Sequence, residues 1–171
     1  VPLIPLAKAD TTSLTNPLQA DGADPWLTYY KGNYYLSATT WGSTMTMRKS
    51  PTLAGLKTAP AVTIWSDTSP TRGYNMWAPE FRRITSTNGT HWYFMFSAGQ
   101  SANLDLQHLV VLESAGDDPL GPYAYKGEPL GTSWGIDGAY LQMNGSLYLL
   151  YSAWSGSNQN IYIRQMSTPW T

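Results

Sequence analysis

Short runs in which apolar or aromatic residues alternate with polar ones, each broken by a glycine turn, fill most of this chain. Trp26 to Tyr30 is one such run; it turns at Lys31-Gly32-Asn33 and returns as Tyr34 to Thr40, ending in Trp41. That pattern predicts a β-hairpin. The same phrase recurs where Asp137-Gly138-Ala139-Tyr140 leads into Leu141, turns at Asn144-Gly145-Ser146 and returns as Leu147 to Ala153, ending in Trp154. Between the two, Ala78-Pro79-Glu80-Phe81 leads through Asn88-Gly89 and returns as His91 to Ser97, with a few extra residues before its turn. A further strand follows each hairpin, over 44–50, 109–114 and 161–167, and the turn glycines Gly32, Gly89 and Gly145 fall at nearly equal intervals. One unit is written three times.

The connecting stretches complete the pattern. Residues 1–22, with Pro2, Pro5 and Pro17 and no sustained period, read as an extended arm. Ala61 to Trp65 and Tyr123 to Tyr125 read as outer fourth strands, and helix signals are nearly absent apart from a turn around Ser50 to Gly55. Sheets of four short strands repeating at roughly 50 to 60 residues are the signature of propeller blades. The expected fold is all-β: blade one over 23–76, blade two over 77–134 and an incomplete blade three over 135–171.

In a propeller the innermost strands surround one axis, so residues at their leading ends converge on one mouth. Asp24 precedes Gly32 by eight residues and Asp137 precedes Gly145 by eight, which puts two acids in the same phase of separate blades; Glu80 sits near that position in blade two. A single strand-leading Asp usually caps backbone amides. Two in phase point instead to a shared cavity. Two carboxylates facing one cavity can hydrolyse a glycoside, one activating water or attacking as a nucleophile while another protonates the leaving oxygen. Trp41, Trp77 and Trp154 offer flat faces for sugar rings near that mouth. Glu80 has two open roles, hydrogen bonding to sugar hydroxyls or anchoring backbone at the blade start.

Composition narrows the ligand. Charged residues make up 12% of the chain, about half the roughly 25% of ordinary domains, and aromatics 13%. Such a surface suits a neutral ring-shaped ligand, and the net charge of −1 with no basic run argues against nucleic acid or acidic lipid as partner. The absence of cysteine excludes a disulfide framework and thiolate metal sites. His91 and His108 show no metal-ligand spacing and read as strand residues; no metal or other cofactor is expected. No apolar run reaches membrane-span length. Asn88-Gly89-Thr90 and Asn144-Gly145-Ser146 fit the glycosylation pattern, but Asn-Gly is equally a preferred hairpin turn, so the two readings stay open.

Four motifs in order, Gly22-Ala23-Asp24-Pro25-Trp26, Ala38-Thr39-Thr40-Trp41, Trp77-Ala78-Pro79-Glu80 and Ile136-Asp137-Gly138, resemble glycoside hydrolase family 43 over nearly the whole chain. Ser50-Pro51-Thr52-Leu53-Ala54-Gly55-Leu56 and Asp118-Pro119-Leu120-Gly121-Pro122-Tyr123 are most similar to its exo-acting α-L-arabinofuranosidases, which trim arabinan. The resemblance implies a five-bladed β-propeller, of which this chain supplies about the first three blades, and inversion of the anomeric centre by direct attack of water. It makes Asp24 the general base and Asp137 the group that raises and orients the general acid. It also implies an arabinose-containing oligo- or polysaccharide as substrate and a secreted enzyme.

The general acid of that family is a Glu at the head of the fourth blade, and no Asp or Glu follows Asp137 here. Glu80, Glu113 and Glu128 do not match its motif. The expectation is therefore a second polypeptide, held noncovalently, that brings the remaining blades and the acid. Rival readings are a β-xylosidase or arabinoxylan arabinofuranosidase of the same family, and a sugar-binding propeller without catalysis. The Asn-Asp-Pro and Arg-Asp-Pro signatures of fructosidase-type hydrolases are not matched by Ala23-Asp24-Pro25 and Trp77-Ala78-Pro79, and the Gly-His and Trp-Asp signatures of protein-binding propellers are absent.

Overall fold

A computed structural model of the chain describes residues 13–171; most of the predicted arm, residues 1–12, lies outside them. Among the described residues, eleven strands form three antiparallel sheets, each taken up in sequence order. Sheet 1 contains β1 (Trp26–Tyr30), β2 (Asn33–Ser37), β3 (Thr44–Ser50) and β4 (Val62–Ser66). Sheet 2 contains β5 (Tyr74–Ser86), β6 (Gly89–Gly99), β7 (His108–Ser114) and β8 (Tyr123–Gly127), and sheet 3 contains β9 (Ile136–Met143), β10 (Ser146–Ser155) and β11 (Asn158–Met166). Short 3-10 turns occur at Ala54–Lys57 and Leu104–Leu106, the second of which the pattern did not announce.

Turn chemistry sets the hairpins. Lys31-Gly32 and Asn144-Gly145 both have two successive positive φ values, the backbone that a tight hairpin demands. Register follows, with Tyr30 opposite Asn33 and Met143 opposite Ser146. The hairpin of sheet 2 differs. β5 begins at Tyr74 and slips register twice, between Tyr74 and Trp77 and between Trp77 and Glu80. The second of these slips recurs in β9 before Ala139, and the extra residues before the turn of sheet 2 lengthen its hairpin, which pairs from Glu80 and Met95 out to Ser86 and Gly89.

The core lies between the sheets. Side chains alternate across a strand, so Trp92, Phe94 and Phe96 of β6 pack with Met45 and Met47 of sheet 1, while Tyr93 and Met95 pack with Tyr140 and Leu149 of sheet 3. Sheet 2 is buried on both faces, which is why β6 reads as an almost unbroken apolar run. Polar clamps reinforce the stack. The Trp26 indole N–H donates to the Phe81 carbonyl at 3.0 Å, and the Arg82 guanidinium lies over the Trp26 ring, 5.0 Å from its centre. At the turn end, Asp117 accepts from Arg83 at 2.6 Å, Tyr30 at 2.6 Å and Lys31 at 2.9 Å. These donors, Arg83 first, hold its carboxyl well below the usual carboxylate range.

Candidate active site

The first strand of each sheet carries a residue in the left-handed region near its head: Asp24, just before β1, at φ 50°, Ala78, within β5, at 45° and Asp137, within β9, at 56°. Non-glycine residues held there cost on the order of 1–3 kcal/mol each and concentrate at functional sites. A rigid residue or a glycine follows each, Pro25, Pro79 and Gly138. At Gly138 the need is steric, because a Cβ would come within 2.4 Å of the Met95 sulfur and 2.8 Å of Leu109. The head of β9 can press against sheet 2 only without a side chain there.

These heads surround one open depression of about 240 Å³, lined by Asp24, Ala78, Glu80 and Asp137 among others. Asp24 and Asp137 therefore meet as their shared phase predicts. The equivalent place in sheet 2 belongs to Ala78, not Glu80: Trp77 pairs with Ser97 as Ile136 pairs with Ser152, which sets Glu80 in the place of Ala139, two residues further in, where it is 3% exposed. One Glu80 oxygen receives Arg82 Nε in an ion pair, and the other accepts Tyr140 N–H at 3.2 Å. Burial pushes its carboxyl up, against the opposing pull of Arg82. Both oxygens are engaged by protein, which favours the anchoring role of the two left open.

Asp24 is held by Thr39, a member of the Ala38-Thr39-Thr40-Trp41 motif to which the sequence had attached no role of its own. Thr39 Oγ1 donates to Asp24 Oδ2 at 2.5 Å and accepts the Ala78 backbone N–H at 2.8 Å. With that N–H on one lone pair, the Thr39 proton is left to point at the Asp24 carboxylate. Among the described residues none hydrogen-bonds the other carboxylate oxygen, and Asp24 is exposed to solvent. In the same way Asp137 N–H donates to Ser97 Oγ at 3.2 Å. Asp137 opens to solvent at one side, yet crowding of its carboxyl, then the nearby charge of Asp24, raise its pKa.

That electrostatic contact is measurable. Asp24→Asn removes the neighbouring charge, so the Asp137 carboxyl is expected to titrate at lower pH, followed by ¹³C carboxyl shifts. An unmoved titration would mean that the two acids are not coupled.

The tryptophans form two pairs. Trp41, 60% exposed, meets Trp77 edge to face with ring centres 5.6 Å apart. Trp154, 51% exposed, lies instead against Trp134 at 5.4 Å, and the Trp134 indole N–H donates to the Leu104 carbonyl at 3.3 Å. Trp134 sits in a loop with no period to mark it. His91 turns both ring nitrogens to backbone carbonyls, of Ser114 and Asn88, and His108 turns one to Leu106. Among the described residues no group of three or more His, Asp or Glu side chains could hold a metal ion, and no helix is long and apolar enough to cross a membrane.

Repeated antiparallel sheets whose strained strand heads, two of them acidic, surround one depression define an all-β protein with a carboxylate-lined surface site. Within that class, the sequence profile of glycosyl hydrolases family 43 matches residues 14–171, and the chain belongs to that family. It is 33% identical to an extracellular exo-α-(1→5)-L-arabinofuranosidase of Streptomyces avermitilis, over 94% of this chain and 34% of that protein. A protein of the same description from Streptomyces chartreusis is 32% identical, over 91% of this chain and 49% of that protein. The chain thus spans a third to a half of the length of these relatives. Its fold is similar to the crystal structure of an α-L-arabinofuranosidase from Lactobacillus brevis, with TM-score 0.80 and 24% identity over 92% of this chain and 53% of that one.

Proposed function

We propose that this chain carries the base side of an inverting glycoside hydrolase that releases terminal α-L-arabinofuranose from arabinan or arabino-oligosaccharides. The observation that carries the proposal is the Asp24 carboxylate, fixed by Thr39 beside Asp137 at the mouth of the three strand heads. Asp24 takes a proton from water as that water forms a bond to the anomeric carbon. The glycosidic bond breaks on the opposite face, and its oxygen leaves with a proton from the general acid. Asp137, through its negative charge, raises the pKa of that acid and keeps it protonated near neutral pH. Trp41, Trp77 and Trp154 supply flat faces for the sugar chain, while Glu80 holds the heads of β5 and β9 together. The preference for arabinose and an extracellular location are supported by the names of the two Streptomyces relatives.

In this reading, sheets 1 to 3 are blades over 23–76, 77–134 and 135–171 of a five-bladed propeller. The remaining blades and the acid Glu lie in sequence outside these three sheets. Product analysis of the complete catalytic unit on arabino-oligosaccharides tests the reading: release of free L-arabinose from chain ends is expected, and release of internal oligosaccharides without free arabinose would overturn it.

A further inference from the structure

At the turn end of the molecule, away from Asp24 and Asp137, the sheets are not joined alike. Between sheets 1 and 2 the joint is charged: Asp117, in the connection after β7, accepts from Tyr30 and Lys31 of the sheet 1 hairpin. Register identifies the counterpart of Asp117 in sheet 3. Tyr93, four residues after Gly89, faces Glu113, and Leu149, four after Gly145, faces Arg164; four residues beyond these partners stand Asp117 and Thr168. Tyr30 lies opposite the residue that follows its turn glycine, and in sheet 2 that place is taken by Thr85. Neutral threonines thus stand where the other joint has its acid and its phenol.

A groove of about 640 Å³ occupies the gap left between sheets 2 and 3, more than twice the volume of the depression at the strand heads. Its floor is the end of the core between the two sheets, where Ile84 and Met166 are almost fully buried. Its walls are the two hairpin ends and the chain after β11, with amides from Gln142, Asn144 and Gln165 and hydroxyls from Thr85, Thr87 and Thr168. Among the described residues no charged side chain lines it. An ion would find no countercharge there, and an aliphatic ligand would cover amides without pairing them. A neutral molecule with hydroxyls on an apolar body satisfies both walls and floor, and the volume is in the range of about 300–1,000 Å³ usual for ligand sites. β9 runs from near Asp137 at the heads to Met143 at the groove, about 20 Å at the rise of a strand. The two sites are therefore separate.

We infer that this groove is a second, non-catalytic site for a neutral oligosaccharide, which holds a distant stretch of the polymer while a chain end is cleaved at the strand heads. The ligand class follows from the lining; the anchoring role rests on the glycosidase reading above.

The complete catalytic unit carrying Asp24→Asn, made in a bacterial host so that Asn144 bears no glycan, is titrated calorimetrically with α-1,5-linked arabinohexaose and, separately, with xylohexaose. Two sites per unit are expected for arabinohexaose. Gln142→Ala combined with Gln165→Ala weakens one of them about tenfold, the scale of one or two lost hydrogen bonds, and leaves the other unchanged. Both glutamines are exposed, so the melting temperature stays at the parent's. With Asp24 intact, the same double variant raises KM on arabinan severalfold and leaves kcat/KM on arabinotriose unaltered. No second site with either sugar, a second site indifferent to the glutamine substitutions, or an equal loss on arabinan and arabinotriose would each overturn the inference. A groove that takes xylohexaose and not arabinohexaose removes the arabinan reading and leaves the neutral-sugar site standing.

Discussion

Replacing Asp24 by Asn is expected to lower kcat of the complete catalytic unit by about 10²–10⁴-fold, the range assigned to general acid–base catalysis, while leaving sugar affinity and melting temperature close to the parent's. The expectation follows from geometry. Asn has the shape of Asp and can still receive the Thr39 hydroxyl at the Oδ2 position. The left-handed backbone at residue 24 also tolerates Asn, so the fold has no reason to change. What is lost is the oxygen that takes a proton from water. Steady-state kinetics on arabino-oligosaccharides, with binding measured calorimetrically, check this. A variant that keeps more than a tenth or so of the parent rate would remove Asp24 as the base.

The largest expected effect on stability lies at Glu80. Glu80→Ala leaves the buried Tyr140 N–H without an acceptor and Arg82 without its partner. Arg82 is 44% exposed and is rehydrated, so the main loss is the unsatisfied amide and the emptied space. That costs about 2–3 kcal/mol and lowers the thermal midpoint by roughly 8 °C. Glu80→Gln retains an acceptor for Tyr140 and should lose about half as much. The pH dependence separates the two variants from the parent. Because the folded state raises the Glu80 pKa, its stabilising contribution is complete below the ordinary carboxylate value and declines as pH rises through the raised one. Melting curves in that window should show the decline in the parent and not in Glu80→Gln. Equal slopes would mean that Glu80 does not titrate differently in the folded chain.

Much of this architecture was legible because the hairpins are locally encoded. β1 and β3 run from Trp26 to Tyr30 and from Thr44 to Ser50, as alternation and the turn at Gly32 had indicated. The two-sided burial of β6 was also visible, as the apolar run from Trp92 to Phe96. Less could be read where position depends on a neighbouring strand. Which residue of β5 is the counterpart of Asp24 and Asp137 is set by its pairing with β6, where Trp77 faces Ser97 as Ile136 faces Ser152, and it is Ala78, not Glu80. Thr39 is one of many threonines until the head of sheet 2 is placed against it, and Trp134 is an ordinary loop residue until Trp154 lies beside it. Asp24 and Asp137 were found in advance because their phase relative to Gly32 and Gly145 is a one-dimensional property.

The account turns on Asp24 serving as a base for water rather than as a nucleophile, and the anomer first released reports that directly. The complete catalytic unit is mixed with an α-1,5-linked arabino-oligosaccharide, and anomeric protons are followed by ¹H NMR before mutarotation. Direct attack of water predicts that β-L-arabinofuranose appears first. Initial release of the α anomer would mean a covalent intermediate and would contradict the assignment of Asp24.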